Sequence, residues 1–464
     1  MNDALLLSRI QFGFVISFHI LFPAFTIGLA SWLAFLEAAY LRTRDAAYRD
    51  LYFFWLRIFA VSFGMGVVSG IVMSFQFGTN WARLSVAAGN ILGPLLSYEV
   101  LTAFFLEATF LGVMLFGWTR VSPRVHFFST LMVALGTLIS TFWIISANSW
   151  MQTPAGYTLV DGVFHPADWW AVIFNPSFPY RLAHMVLAAF LTTACVIGGV
   201  SAHYLRRGRF EAKAERMLKL SIVFVAIAAP LQILAGDLSG LNVRDHQPAK
   251  LAAMEGHWET HRGAPLVVFA WPDSEAETNR YELAIPKLGS VILTHSLDGE
   301  VRGLKSFARE DRPPVPVVFF AFRVMVAIGV LMLALAAFGL IAWKKLAARR
   351  WYLVWWSAMT PAGFVAILAG WWTAEIGRQP WVVYGLLRTA EASTVIDAGS
   401  VLASLVTFAV VYAVVFGAGT WYLFKLLRKG PVEIETKPPA TEPAREPPKR
   451  PARPLSLPDT KVET

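Results

Sequence analysis

The sequence predicts an all-α integral membrane protein of about nine transmembrane helices in bundles, with the N-terminus outside and the C-terminus cytoplasmic. Three observations carry that prediction. Of 464 residues, 56% are hydrophobic and 15% charged, with mean hydropathy +0.53, which excludes an ordinary soluble domain. Apolar runs of about 20 residues or more recur along the chain, each long enough to cross a bilayer. Basic clusters alternate with short connections that hold few cations, the pattern of the positive-inside rule.

The runs fall at about 5–40, 51–79, 92–118, 124–147, 180–205, 217–238, 316–343, 352–377 and 394–427. The first is too long for a bare span, so helix 1 should tilt or project, with Pro23 as a point of bending. Arg42, Arg44 and Arg49 follow it, and Arg120 and Arg124 follow helix 3. Arg206, Arg207, Arg209, Lys213, Arg216 and Lys219 follow helix 5, and Lys344, Lys345, Arg349 and Arg350 follow helix 7. Lys425, Arg428 and Lys429 end helix 9, whereas the opposite short connections hold only Arg83, Arg181, Arg378 and Arg388. The net charge of +9 therefore reports topology, not a nucleic-acid partner.

Helices 1–6 (1–238) and helices 7–9 (316–429) flank one long outward loop at 239–315. A loop of that length is usually functional or disordered. Residues 430–464, rich in Pro, Glu, Lys and Arg, predict a disordered cytoplasmic tail. "MNDALLLSRI" has no basic n-region or small-residue cleavage site, so helix 1 is expected to be retained. The single cysteine, Cys195, allows no internal disulfide and reads as a small buried hydrophobe. No internal repeat is evident.

The topology also assigns depths. At about 1.5 Å per residue, His184 lies roughly 6 Å from the outer end of its helix, Glu99 roughly 10 Å, Met325 roughly 13 Å and Glu375 roughly 3 Å. His19 falls in the outer-to-middle part of helix 1. Five potential metal ligands thus share the outer half of the membrane. Glu107 lies two turns deeper than Glu99, and eight residues make about 80° of rotation, so both can face one bundle interior. Each residue also has a plain reading: an interfacial histidine, a packed methionine, an interhelical hydrogen bond, or Glu375 paired with Arg378 at a helix end. Depth alone names no metal.

Ligand chemistry narrows the choice. Imidazole with thioether is a haem-iron pair, whereas a histidine or carboxylate alone leaves a coordination position free. No Cys/His cluster has zinc spacing, and no C-x-x-C-H occurs, so any haem is non-covalent.

Five stretches carry a resemblance: "SRIQFGFVISFHILFP", "SYEVLTAFFLEATFLGVMLFGW", "QPAKLAAMEGHW", "FRVMVAIG" and "GRQPW". In content and order, over about residues 5–425, the chain resembles subunit I of the cytochrome bd-type ubiquinol oxidases. The resemblance implies that His184 and Met325 are axial ligands of the low-spin haem b558, with Arg323 beside it. It implies that His19 and Glu375 are ligands in a two-haem oxygen-reducing site of haem b595 and haem d, or a third haem b in place of haem d. Arg378 would support that site, Trp371 would lie between haems, and Glu99 and Glu107 would carry protons. Lys250 and Glu255 match the quinol-binding pair of the family's Q loop. Only about 60 residues separate Glu255 from Arg323, the short form of that loop, which includes cyanide-insensitive oxidases.

The implied activity is oxidation of ubiquinol outside and reduction of O₂ to water with cytoplasmic protons, which generates proton motive force without a pump. A second large subunit and one or more small single-helix subunits would complete a multi-pass complex in the lipid of the bacterial inner membrane. Two rivals stand beside it: a b-type membrane cytochrome that does not reduce oxygen, and a secondary transporter using intramembrane carboxylates.

Overall fold

The structure, a computed structural model, describes residues 3–432, so residues 433–464 of the expected tail lie outside the described residues. Among the described residues, nine helices are long and apolar enough to cross a membrane. They are α1 (Asp3–Thr43), α2 (Ala46–Thr79), α3 (Ala82–Phe116), α4 (Pro123–Gln152) and α5 (Phe178–Arg206). α6 (Glu211–His246), α7 (Val315–Ile341), α8 (Arg350–Ile376) and α9 (Ala398–Lys429) complete the set.

Caps and prolines explain where these helices depart from the apolar runs. α2 starts at Ala46 because the Asp45 carboxylate accepts from the Ala47 N–H at 2.9 Å, and α9 starts at Ala398 behind Asp397, which accepts from Ser400 at 3.0 Å. α3 begins at Ala82, ahead of the expected 92, because Arg83, Ser85 and Asn90 interrupt the apolar signal without opposing a helix. α6 continues to His246, beyond the expected 238, and stops where Pro248 disfavours a helical Gln247. α8 is two segments, Arg350–Ala358 and Ala362–Ile376, separated at Pro361. Pro23 lies inside α1 without ending it.

α1 is the central helix, packing against α2, α4, α5, α8 and α9. A second group forms a ring in which α5 packs on α6, α6 on α7, α7 on α8 and α8 on α5. Lipid supplies no hydrophobic drive for helix association, so close van der Waals approach must hold such a ring. Gly363 of α8 shows how close: a Cβ there would lie 2.5 Å from the Thr192 Cα of α5. On the basic side, the Glu37 carboxylate joins α1 to α4 through His126 (2.7 Å) and Thr130 (2.6 Å), all buried.

The segment expected to face outward is folded. After α6 comes a short helix, Pro248–Glu255, then an antiparallel hairpin of Leu266–Asp273 and Thr278–Ile285, with Leu266 opposite Ile285 and Trp271 opposite Arg280. Ala252, Ala253, Trp258 and Leu304 pack with Val315 and Val318 at the start of α7. That contact seats the segment on the start of α7 in the helix ring.

Candidate functional site

Glu375, in the last turn of α8, sits at a junction of four chain segments. Its Oε2 lies 2.5 Å from Arg378 Nη2, and its Oε1 accepts from Gln152 Nε2 (2.9 Å) and Asn148 Nδ2 (3.2 Å) of α4. Arg181 of α5 lies 3.6 Å away and also donates to Asn148. Lys250 Nζ of the short outward helix donates to Gln152 Oε1 at 2.6 Å and to Gln247. Two guanidinium groups thus converge on one carboxylate, and Lys250 reaches the same junction through Gln152. Arg378 Nε and Nη1 and Arg181 Nε are buried without an acceptor. Buried donors of this kind call for an anionic acceptor, and carboxylates such as haem propionates fit them. Asn148, Gln152, Arg181 and Gln247 are missing from the sequence-derived set. A signal existed: Asn148 and Gln152 are one turn apart at the outer end of an apolar helix.

His184 and Met325 stand on α5 and α7, diagonal helices of the ring. Gln232 Nε2 of α6 lies 3.1 Å from His184 Nε2, and Gln232 Oε1 is buried without a partner. A Cβ on Gly236 would be 3.3 Å from His184 Cε1, and one on Gly370 would be 2.9 Å from Met325 Sδ. Gly240, four residues after Gly236, and Gly329, four after Met325, face open space where a Cβ would meet nothing within 4 Å. Small residues around a diagonal imidazole–thioether pair leave room for a flat macrocycle.

His19 of α1 packs on the glycine face of α2. Its Nδ1 lies 3.0 Å from Ser69 Oγ, which itself donates to the Gly66 carbonyl at 2.8 Å. Ser69 therefore accepts from Nδ1–H, and the Nε2 lone pair is left for a metal. Trp371 packs in one apolar cluster with Ile20 and Met185, the chain neighbours of His19 and His184, and Arg181 lies over its ring at 5.9 Å.

Glu99 accepts from Ser140 Oγ of α4 at 2.7 Å, and Glu107 packs against Gly136, where a Cβ would be 2.5 Å from Glu107 Cγ. Ser140 and Gly136 are one turn apart, so both acids meet the same face of α4. A π turn at Val100–Phe104 lies between them. Its wider turn advances less per residue than an α-helix, which removes much of the expected 80° offset.

The outward helix sends its two candidates different ways. Lys250 and Glu255 are both buried, at 2% and 5% exposure, and are five residues apart on one helix. Lys250 points into the Glu375 junction. Glu255 lies on the Arg323 side, with Oε2 buried and unpartnered. Burial pushes Lys250 well below its ordinary value and Glu255 above its own, the latter opposed by Arg323. Arg323 stacks on Phe319 at 3.4 Å and donates to the carbonyls of Met254 (2.5 Å) and Val267 (Nε, 3.1 Å). It therefore clamps the outward helix and hairpin to α7. Among the sequence-predicted residues, Glu375, Arg378 and Lys250 meet at one junction, His184 and Met325 line the α5–α8 ring, Glu99 and Glu107 share one face of α4, and His19 stands against α2.

A family model for cytochrome bd terminal oxidase subunit I matches residues 7–431. The chain is 37% identical over 443 residues to a cytochrome bd ubiquinol oxidase subunit 1 of Bacillus subtilis (strain 168), covering 92% of this chain and 94% of that protein. It is 34% identical over 514 residues to a cytochrome bd-II ubiquinol oxidase subunit 1 of Escherichia coli (strain K12), covering 95% and 100%. The bd oxidase structure from Geobacillus thermodenitrificans superposes with a TM-score of 0.87 at 32% identity, over 93% of this chain and 100% of that chain.

Proposed function

Because the chain belongs to the cytochrome bd terminal oxidase subunit I family, we propose a residue-level reading of how it works as the haem-bearing subunit of a quinol-oxidising respiratory oxidase. It is a multi-pass protein of the bacterial inner membrane and works with an oxidase subunit II. The transporter and the simple cytochrome fall away with that membership.

His184 and Met325 would hold haem b558. His19 and Glu375 would serve the oxygen-reducing pair, haem b595 with haem d or a third haem b. Haem iron bound at these positions supplies one-electron redox chemistry and a coordination position for O₂. Ser69 fixes the His19 tautomer, and Asn148, Gln152 and Arg181 hold the Glu375 carboxylate in place. Arg378 and Arg181 offset negative charge, and Trp371 fills the space between the His19 and His184 neighbourhoods.

Glu255 accepts a quinol hydroxyl proton on the outer side, and Lys250 orients the head group from the Glu375 side. Glu107 and then Glu99 pass protons inward from the cytoplasmic side along the shared face of α4. Protons taken up inside and released outside separate charge without a pump. The N-terminus is outside, the C-terminus cytoplasmic, and small single-helix subunits complete the complex.

The convergence of Arg378 and Arg181 on Glu375, with guanidinium nitrogens left without acceptors, carries this reading. The test is a reduced-minus-oxidised visible spectrum of the purified complex with pigment extraction. A low-spin haem together with a high-spin, CO-binding species is expected. A low-spin signal alone would overturn the oxygen-site assignment, and the extracted pigment identifies haem d or haem b.

A further inference from the structure

Quinol oxidation releases two protons as well as two electrons, yet the reading above provides one acceptor, Glu255. Two residues on, His257 is also buried, at 3% exposure. Its Nε2 lies 3.0 Å from the Pro265 carbonyl oxygen. A carbonyl can only accept, so the ring proton sits on Nε2 and Nδ1 carries a lone pair. That Nδ1 is buried with no partner, as is Glu255 Oε2. Two unpartnered acceptors within three residues are costly in a folded segment and call for donors.

The backbone is built to present them. Gly256 ends the short helix in the left-handed region, at φ 72°, and a Cβ there would lie 2.7 Å from Phe319 Cε2. No other residue fits both demands. Asn279 of the hairpin fixes the turn by donating to the Gly256 carbonyl at 2.9 Å and accepting from Trp258 Nε1 at 2.9 Å.

We propose that His257 is the second proton acceptor for quinol: its Nδ1 takes the proton of one hydroxyl while the Glu255 carboxylate takes that of the other. The two O–H bonds break, two N/O–H bonds form, and the two electrons leave by the oxidase's own route to oxygen. Both protons then pass to the outer solvent, which restores the neutral imidazole and the anionic carboxylate. This rests on the assignment of Glu255 to the quinol site.

The groups facing His257 are Arg323 of α7, Glu282 of the hairpin and His261 of the loop. Burial is the largest influence and holds the imidazole at about 4, so it is neutral and able to accept at neutral pH.

The experiment uses the whole oxidase complex with two donors: ubiquinol, and a one-electron artificial donor that releases no proton and bypasses the loop. His257→Gln should lower ubiquinol kcat at least tenfold with KM little changed, and leave the artificial-donor rate and haem spectra intact. His257→Asp, which restores a base, should recover part of the rate with an altered pH profile. Wild-type ubiquinol kcat and pH profile in His257→Gln would overturn the proposal, as would equal loss with both donors. Glu255→Gln run in parallel separates the two ideas. Loss in Glu255→Gln but not in His257→Gln sinks only the second acceptor. No loss in either removes the quinol-site assignment itself.

Discussion

Arg378 Nη2 lies 2.5 Å from Glu375 Oε2, three residues apart where α8 ends. The pair is closed by Asn148 and Gln152 on the far oxygen, so the carboxylate is oriented before any ligand arrives. Arg378→Leu removes that support and leaves Arg181, Asn148 and Gln152 to hold Glu375. Loss of an orienting partner to a metal ligand typically costs about 10–100-fold in affinity or activity. Oxygen uptake should fall by that order, and the high-spin haem signal should weaken while the low-spin signal stays. A loss confined to the low-spin signal would place Arg378 with the other haem.

His184→Ala should abolish the low-spin haem band and quinol-driven turnover, read from the reduced spectrum. Met325→Leu should be milder, with a lowered potential in a redox titration, since a thioether raises it. Gly370→Ala should mimic Met325→Leu without replacing the sulfur, because its methyl would come within 2.9 Å of Sδ and displace it. An unchanged titration in both would make Met325 a packing residue.

Glu107→Gln keeps side-chain size and removes the ionisable proton. Turnover should drop about a hundredfold, the lower range for loss of a positioned proton carrier, with all haems bound. Normal turnover and normal proton uptake from inside would exclude Glu107 from the route.

Lys250→Ala should chiefly raise the apparent KM for quinol, as expected of a group that binds the head group and transfers no proton. Oxygen uptake with an artificial donor should be unchanged, and equal loss with both donors would make the outward helix structural.

The pH dependence of quinol oxidation follows from Glu255. Its carboxyl is pushed up by burial and pulled back by Arg323. Only the deprotonated form accepts a proton, so the rate should fall as pH drops through a value above the ordinary 4.5. Arg323→Gln removes the opposing charge, raises that value, and should move the acid limb of kcat/KM to higher pH. A limb that stays in place would show that Arg323 does not act on Glu255.

The helices were legible because lipid enforces them: a span must be apolar, long and internally hydrogen-bonded, and all three properties are local in sequence. His19, His184 and Glu375 stood out for the complementary reason, as polar groups where polarity is expensive. What the chain could not disclose is direction. Lys250 and Glu255 share one helix of eight residues, yet one turns to Glu375 and the other to Arg323, a divergence set by α4 and α7. Arg181 looked like an isolated connection charge until α5 brought it to Glu375. The folded state of the outward segment was equally hidden, because its core is shared with the first turns of α7.

The wide turn at Val100–Phe104 has a mechanical consequence. It works as a phase adjuster, absorbing one residue more than a regular helix would need. Deleting a single residue there would let α-helical bonding close over the gap, and seven regular steps make about 700°, only about 20° from whole turns, so Glu99 and Glu107 would keep their common face on α4. Winding the same residues as a regular α-helix without a deletion would instead turn the half of α3 carrying Glu99 by about 80° and carry it away from Ser140. The local winding between two carboxylates, as much as their identity, therefore keeps them in line.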